Sequence, residues 1–280
     1  MAEITASLVR ELRDVTNLGM MECKKALAEV GGDKEAAIRV LRERGMALSL
    51  KRASRDANQG IIASTLKPDG TLGSLIEVNC ETDFVARNEM FRTFVEQLSE
   101  TACDINDGTL AETAKSELAA KIAETGENMV IRRNIRYMLQ DAGIVTSYIH
   151  PGAKLGVLLE IGCDQKEALQ TADFQELIKD LAMHVAAADP RYLSADDIPS
   201  EVVAAEREIC AKQVKDKPAN IVDKIVDGKM KKFCAEICLL NQAFVKEPKQ
   251  SITDLLKAKS QDLNVSVTIR RFARFQLGRE

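Results

Sequence analysis

Part of this chain is written twice, and the duplication constrains the fold more than any other feature. Gly60–Glu81 (GIIASTLKPDGTLGSLIEVNCE) aligns with Gly143–Asp164 (GIVTSYIHPGAKLGVLLEIGCD) at an offset of 83 without a gap. Nine of the 22 positions are identical, among them Gly60/Gly143, Ser64/Ser147, Gly73/Gly156, Leu75/Leu158, Glu77/Glu160 and Cys80/Cys163. Each copy holds two apolar, β-branched runs around a Pro-containing turn, which predicts a β-hairpin. A second pair, Ile131–Tyr137 (IRRNIRY) and Ile269–Phe275 (IRRFARF), matches at an offset of 138. Ile131, Arg133, Ile135 and Tyr137 alternate with Arg132, Asn134 and Arg136, the period of a strand with one wetter face. The unit is hairpin, helical stretch and strand, used twice, and helices are expected to cover one face of each three-stranded sheet.

The two copies differ in their middles. Cys80 to Ile131 is 51 residues and Cys163 to Ile269 is 106, so the second copy carries 55 extra residues, roughly 194–248. Two helical stripes run through them, Val202, Val203, Ala205 and Ile209, then Ile221, Ile225, Met230, Phe233 and Ile237, which predict an antiparallel helical pair. Apolar residues left over on such a projection call for a partner surface, for which another copy of the chain, a homodimer, is one candidate. Ahead of the repeat, three short helices are expected: one along Ile4, Leu8, Leu12 and Val15, one over 20–30, and one capped by Asp33 and ending at Gly45. The polar, basic stretch 51–59 reads as a linker or exposed helix face. The fold class expected is therefore α+β: residues 1–55 a three-helix module with its linker, 56–140 the first core half, and 141–280 the second, with a helical hairpin insertion.

Composition narrows function. The 280 residues are 45% apolar and 29% charged, enough for a sizeable core. Net charge is -4 and aromatics are 4% with no Trp, which disfavours direct nucleic-acid binding by phosphate neutralisation or base stacking. No apolar window is long enough for a membrane span, and the charged, amphipathic N-terminus is no signal peptide. Seven Cys read as reduced core thiols of a cytoplasmic protein, and with only His150 and His184 a metal site is not expected. There is no P-loop, G-x-S-x-G or H-E-x-x-H motif. A Cys–His pair drawn from Cys80 or Cys163 with His150 or His184 is conceivable. His184, among Leu181, Ala182, Val185 and Ala186, reads better as a satisfied core histidine. No enzyme and no cofactor are expected.

One segment departs from its own duplicate. After the first hairpin come Thr82, Asp83, Phe84 and Val85, where the second copy has Gln165, Lys166, Glu167 and Ala168. Packing alone would be served by either version, and loops on a rigid scaffold are where function concentrates. The plainer alternative places Phe84 in the core with Asp83 bonded to local backbone amides. Asn88 can cap the next helix, whose apolar face is Phe91, Phe94, Val95 and Leu98.

The motifs Ile4–Val9, Gly19–Leu27 (GMMECKKAL), Glu77–Val85 (EVNCETDFV) and Ala182–Ala186 (AMHVA) together make the chain resemble the elongation factor Ts family. That family supplies guanine-nucleotide exchange factors for elongation factor Tu, and the resemblance runs over nearly the whole chain. It implies a ubiquitin-associated-like N-terminal module, a core of two related α+β halves, and a helical hairpin that some members use to dimerise. It implies that Thr82, Asp83, Phe84 and Val85 approach the GTPase near its magnesium site, Phe84 as a wedge and Asp83 as a hydrogen-bonding fix. It further implies that Met20, Met21 and the turn residue His150 touch the same partner. Some relatives carry a further C-terminal helix that grips the partner. Here Gly278, Arg279 and Glu280 follow the last strand, so the core is expected to carry more of the contact. The competing reading is an RNA- or ribosome-associated helical adaptor without exchange activity, using Arg132, Arg133, Arg136, Arg270, Arg271 and Arg274. Pairing of those arginines with Asp and Glu is the simpler account of them.

Overall fold

A computed structural model describes residues 4–214 and 219–279. The first element, α1 (Ala6–Thr16), starts where the Thr5 side chain accepts from the Leu8 amide and stops at Asn17, whose backbone is left-handed. Next come α2 (Met20–Glu29) and α3 (Lys34–Arg52), the latter capped by Asp33, which accepts from the Ala36 amide at 3.0 Å. Val9, Leu12, Cys23, Ala26, Leu27, Ala37 and Leu41 form a small separate core. The stop expected at Gly45 is not there, and α3 runs seven residues past it. Gly45 is instead a helix-contact glycine: a Cβ there would meet the Ala119 carbonyl oxygen at 3.5 Å and the Ala123 methyl at 3.6 Å. In the last turn of α3, Arg52 Nη1 donates to the Ile122 carbonyl at 3.1 Å, so part of the basic stretch docks the module onto the core.

The first half then runs β1 (Gln59–Leu66), β2 (Leu72–Cys80), α4 (Asp83–Arg87), α5 (Glu89–Cys103), α6 (Leu110–Thr113), α7 (Lys115–Thr125) and β3 (Met129–Met138). The second runs β4 (Gly143–Ile149), β5 (Leu155–Cys163), α8 (Ala172–Ala188), α9 (Ser200–Lys212), α10 (Ala219–Ile237), β6 (Ala243–Phe244), β7 (Glu247–Ser251), α11 (Ile252–Leu263) and β8 (Val267–Gln276). Two antiparallel sheets result, ordered β1-β2-β3 and β4-β5-β8. One face of each is packed by its own helices, Phe91, Phe94 and Val95 in the first half and Phe174, Leu177 and Ile178 in the second. The other faces pack on each other through Ile62, Leu75, Tyr137, Val145, Leu158 and Phe275. Both faces of the central strands are therefore dry, which explains why β2 and β5 are buried from their second residue onward.

The strict alternation expected over 131–137 is broken. Glu77 pairs with Arg133 and Val78 with Ile131, leaving Arg132 as an extra residue; Arg270 is the extra residue in β8. The bulge switches faces, so Ile131 lies under the helices while Ile135 and Tyr137 face the other sheet.

The duplicated identities meet across the seam. Ser64 donates to Ser147 at 3.0 Å, two equivalent hydroxyls touching where an approximate two-fold axis must pass. The Ile62 amide donates to the Ala153 carbonyl and the Val145 amide to the Gly70 carbonyl, the same bond made in both directions. A Cβ on Gly73 would sit 3.1 Å from Leu158, and one on Gly156 would sit 2.9 Å from Leu75. Gly60 and Gly143, at φ 144° and 154°, leave only 2.1 and 2.0 Å between such a Cβ and a neighbouring carbonyl oxygen.

The insertion is only partly the helical pair expected. α9 and α10 pack through Val203, Cys210, Val222, Val226, Met230 and Phe233. Ile209, placed in the buried stripe by periodicity, is 49% exposed, because the buried face is set one residue over at Cys210. Ile221 lies outside the residues whose side chains are described, as do residues 215–218 altogether. The last part of the insertion is the small β6–β7 hairpin, a sheet that a helical reading of 194–248 missed. No described helix is long and apolar enough to cross a membrane.

Candidate functional site

β2 ends at Cys80, and the chain turns at once into α4, a helix of five residues. Thr82 is its N-cap, accepting from the Val85 amide at 3.3 Å. The same residue is gripped from behind: its amide donates to Glu127 Oε2 at 3.0 Å and its hydroxyl to Glu127 Oε1 at 2.7 Å. Val85 and Ala86 face the core beneath. A helical turn held with these two inward must point Phe84 outward, and its side chain is 83% exposed. No other large apolar residue of the described chain is as exposed. Asp83 pairs with Arg87 at 3.0 Å one turn on, and Asn88 caps α5 by accepting from the Met90 amide. The alternative in which Phe84 fills the core and Asp83 bonds backbone amides is thereby corrected.

The other sequence-derived residues sit apart from the tip. Met20 and Met21 open α2 and are 43% and 65% exposed, on a module with its own core. His150 lies in the β4–β5 turn, its Nδ1 3.0 Å from the Tyr148 hydroxyl. It borders an open cavity of about 440 Å³ with Leu155, Met183, Val245 and the Lys246–Asp180 ion pair. Ala153, in the same turn, packs on the core cluster that carries Val85, so this turn and the tip share one support.

Groups that could have carried other chemistry are committed elsewhere. His184 is fully buried; its Nδ1 accepts from the Val245 amide at 3.3 Å, so Nε2 carries the proton toward Gln242 Oε1 at 3.1 Å. Burial holds its pKa below the usual value, against the Gln242 bond. Burial, helped by the charge of Glu127, pushes the Cys80 thiol up to about 12 and suppresses the thiolate that a nucleophile needs. Cys80 Sγ instead donates to the Thr82 carbonyl, as Cys163 does to the Gln165 carbonyl. Among the described residues no His, Cys, Asp and Glu side chains gather as a metal cage.

Five of the six repeated arginines turn inward as well, while Arg132 stays exposed, 3.9 Å from Glu77. Arg133 meets the buried Glu77 at 2.8 Å, stacks over Phe275 at 4.1 Å and donates to the Gln276 and Arg279 carbonyls. Arg271 mirrors it, meeting Glu160 at 2.6 Å, stacking over Tyr137 at 4.2 Å and donating to the Met138 carbonyl. Each carboxylate also accepts an amide from across the seam, Glu77 from Gly278 and Glu160 from Gln140. Arg136 and Arg274 donate to carbonyls at the C-terminal ends of α5 and α8, where a cation complements the helix dipole.

Glu127 and Asn128 escaped sequence reasoning. Carrying the 138-residue offset back from Ile131 would have found them, since Gly126 and Asn264 then align as left-handed helix stops and Glu127 falls opposite Val265.

The molecule is thus of the α+β class: two like sheets joined by reciprocal ion pairs, one exposed aromatic tip and a helical module with its own core. Comparison with known proteins gives its family. Residues 81–279 match the family model for elongation factor Ts. The chain is 40% identical to elongation factor Ts of Trichlorobacter lovleyi and 42% identical to that of Clostridium perfringens, in each case over 98% of this chain and 93% of the relative. It is 41% identical to elongation factor Ts of a Nitratiruptor species over the same shares. The chain belongs to the elongation factor Ts family, a family of translation elongation factors.

Proposed function

We propose that this chain is a guanine-nucleotide exchange factor that binds elongation factor Tu–GDP, disturbs its magnesium site and promotes GDP release. The observation that carries the reading is Phe84, an 83%-exposed aromatic on a short helix whose base is fixed by two hydrogen bonds to one carboxylate. Release of a tightly held nucleotide needs no covalent step. Magnesium demands near-octahedral oxygen coordination at short distance, so small displacements of its supporting loops weaken it strongly. Burying a Phe side chain gains roughly 1.5–3 kcal/mol. Where that gain exists only with the partner's loops displaced, it stabilises the nucleotide-free state, and nucleotide and factor then weaken each other equally. A thousandfold effect corresponds to about 4 kcal/mol, more than one wedge supplies. Met20, Met21 and the His150 turn provide the additional contacts, spread over a rigid body. Asp83 can turn from Arg87 to a partner group at small cost, since an exposed i,i+4 pair is worth only about 0.3–0.5 kcal/mol.

On this reading the protein is no enzyme, holds no cofactor and works in the cytoplasm. Residues 1–55 act as a ubiquitin-associated-like module, 56–140 and 141–280 as the core halves, and the helical insertion as a site of self-association. The inward commitment of five of the six repeated arginines weighs against the RNA-bound adaptor; RNA affinity falling steeply with salt would restore it. The decisive measurement is GDP release from purified elongation factor Tu with and without this chain. Asp83→Ala combined with Phe84→Ala is expected to slow stimulated release at least tenfold with the fold intact. Undiminished release by that variant overturns the wedge assignment.

A further inference from the structure

The tip is seated by a loop that also receives the N-terminal module. Between α7 and β3 lie Gly126, left-handed at φ 79°, then Glu127 and Asn128. Glu127 takes both donors of Thr82, as described above. Asn128 is buried, and its amide donates to Glu81 Oε1 at 2.6 Å while its side-chain nitrogen donates to the Arg55 carbonyl at 2.7 Å. Arg55 in turn pairs with Glu81 at 3.4 Å, and Arg52 bonds the end of α7. One short loop thus touches the residue behind the tip and the segment leaving α3.

The second half provides an internal control. There Asp164 accepts from the Ser266 amide at 2.9 Å, the counterpart of Glu81 with Asn128. The scaffold bond is therefore common to both halves and owes nothing to the tip. The counterpart of Glu127 is Val265, 6% exposed and packed in the core, and the counterpart of Thr82 is Gln165, which reaches the Asn264 carbonyl instead. The half without an aromatic tip lacks the carboxylate as well.

We propose that Glu127 is a positioning residue, whose carboxylate fixes Thr82 so that Phe84 leaves the surface at a set angle to the N-terminal module. A carboxylate with two oxygens suits the task, because it can accept the Thr82 N–H and O–H together and leaves the hydroxyl oxygen free to cap Val85. Pre-ordering the tip removes the cost of ordering it on the partner. The inference rests on the exchange-factor reading for its consequence, though not for its geometry.

The test uses the full-length chain. Amide hydrogen exchange at Thr82 and Val85 in the free protein is expected to quicken at least tenfold in Glu127→Ala, with protection in β2 and α5 unchanged. With elongation factor Tu loaded with a fluorescent GDP analogue, Glu127→Ala is expected to lower the maximal release rate about tenfold while the half-saturating concentration moves less than threefold. Adding Glu127→Ala to Phe84→Ala is expected to cost nothing more, since the carboxylate acts through the ring. Thr82→Ser is expected to keep the wild-type protection at Val85 and Thr82→Val to lose it, which keeps the test open should Glu127→Ala fold poorly. Unchanged protection at Thr82 overturns the seat, whatever the release assay reads. Full release by Glu127→Ala, in a series where Phe84→Ala is slow, overturns the positioning role and leaves the exchange reading standing. If Phe84→Ala is itself as fast as wild type, the tip assignment fails, and quickened exchange at Thr82 would still uphold the seat.

Discussion

The two core halves share sheet order, bulge, buried glutamate and inward arginine, yet only one shows an aromatic to solvent. At the end of β2 the chain rises into α4 with Phe84 outward; at the matching end of β5 it runs through Gln165 into a short turn of helix whose Ala168 and Leu169 are buried. The scaffold is common property, so it cannot be what distinguishes the halves. The difference lies in a handful of residues, 82–85 and 127 against 165–168 and 265. The repeated elements form the body common to both halves, and the junction of the first half alone places a phenylalanine, 83% exposed, outside the shared core.

The strongest way to break this comparison is to cut the shared seam. Glu160→Ala removes a fully buried carboxylate that serves Arg270, Arg271 and the Gln140 amide, and is expected to cost about 3 kcal/mol, the low end for a broken buried pair because the guanidinium groups reach water. Glu77→Ala is expected to cost somewhat less, since Arg132 stands 3.9 Å from Glu77 where Arg270 stands 3.2 Å from Glu160. Urea denaturation measures both, and a negligible loss in either would show that the halves are not bolted symmetrically. Burial alone would raise the Glu160 pKa, but the Gln140 amide and the two arginines outweigh it and hold it below the usual value. The unfolded chain then takes up the proton first, so this contribution is complete above about pH 4.5 and lost as pH falls below it. Glu160→Gln is expected to flatten that part of the acid-stability profile.

Next in size is the functional contrast. Phe84→Ala alone is expected to slow GDP release by about tenfold, or about 1.4 kcal/mol, with the melting temperature unmoved because the ring is 83% exposed. A large thermal shift would place the ring in the fold rather than in an interface.

A smaller effect separates the halves by pH. His184 ties α8 to the end of the insertion through Gln242 and Val245 in the second half only. Its pKa is lowered by burial, so the unfolded state binds the proton more readily, and stability falls as pH drops from about 6.5, with a slope of at most about 1.4 kcal/mol per unit. His184→Gln is expected to remove that slope in urea titrations between pH 7 and 5; its persistence would point to another group.

The smallest effect concerns one turn. Gly70 and Ala153 are equivalent, with φ 68° and 54°, and only the second bears the strain of a side chain in the left-handed region. Ala153→Gly makes the second half like the first and is expected to stabilise by up to about 1 kcal/mol, less the greater freedom of glycine in the unfolded chain. A lower melting temperature would mean that the Ala153 methyl, which packs on the first half's core, matters more than the strain.

Much of this protein is local and therefore legible in its sequence. The caps at Asp33 and Asn88, the hairpins around Pro68 and Pro151, and the departure of 82–85 from its duplicate all follow from residues a few positions apart or from comparing the chain with itself. Gly45 misled, because a glycine that ends a helix and one that lets another helix approach look alike in one dimension. The bulges at Arg132 and Arg270 were equally hidden: periodicity assumes that each residue has one partner, and a bulge is where that fails. The bonds Glu77–Gly278, Ser64–Ser147 and Glu127–Thr82 join residues 201, 83 and 45 apart. No helical or strand period reaches across such separations; only the packing of two sheets and a module against one another could decide them, because buried charge and close backbone approach acquire partners only once the chain has closed on itself.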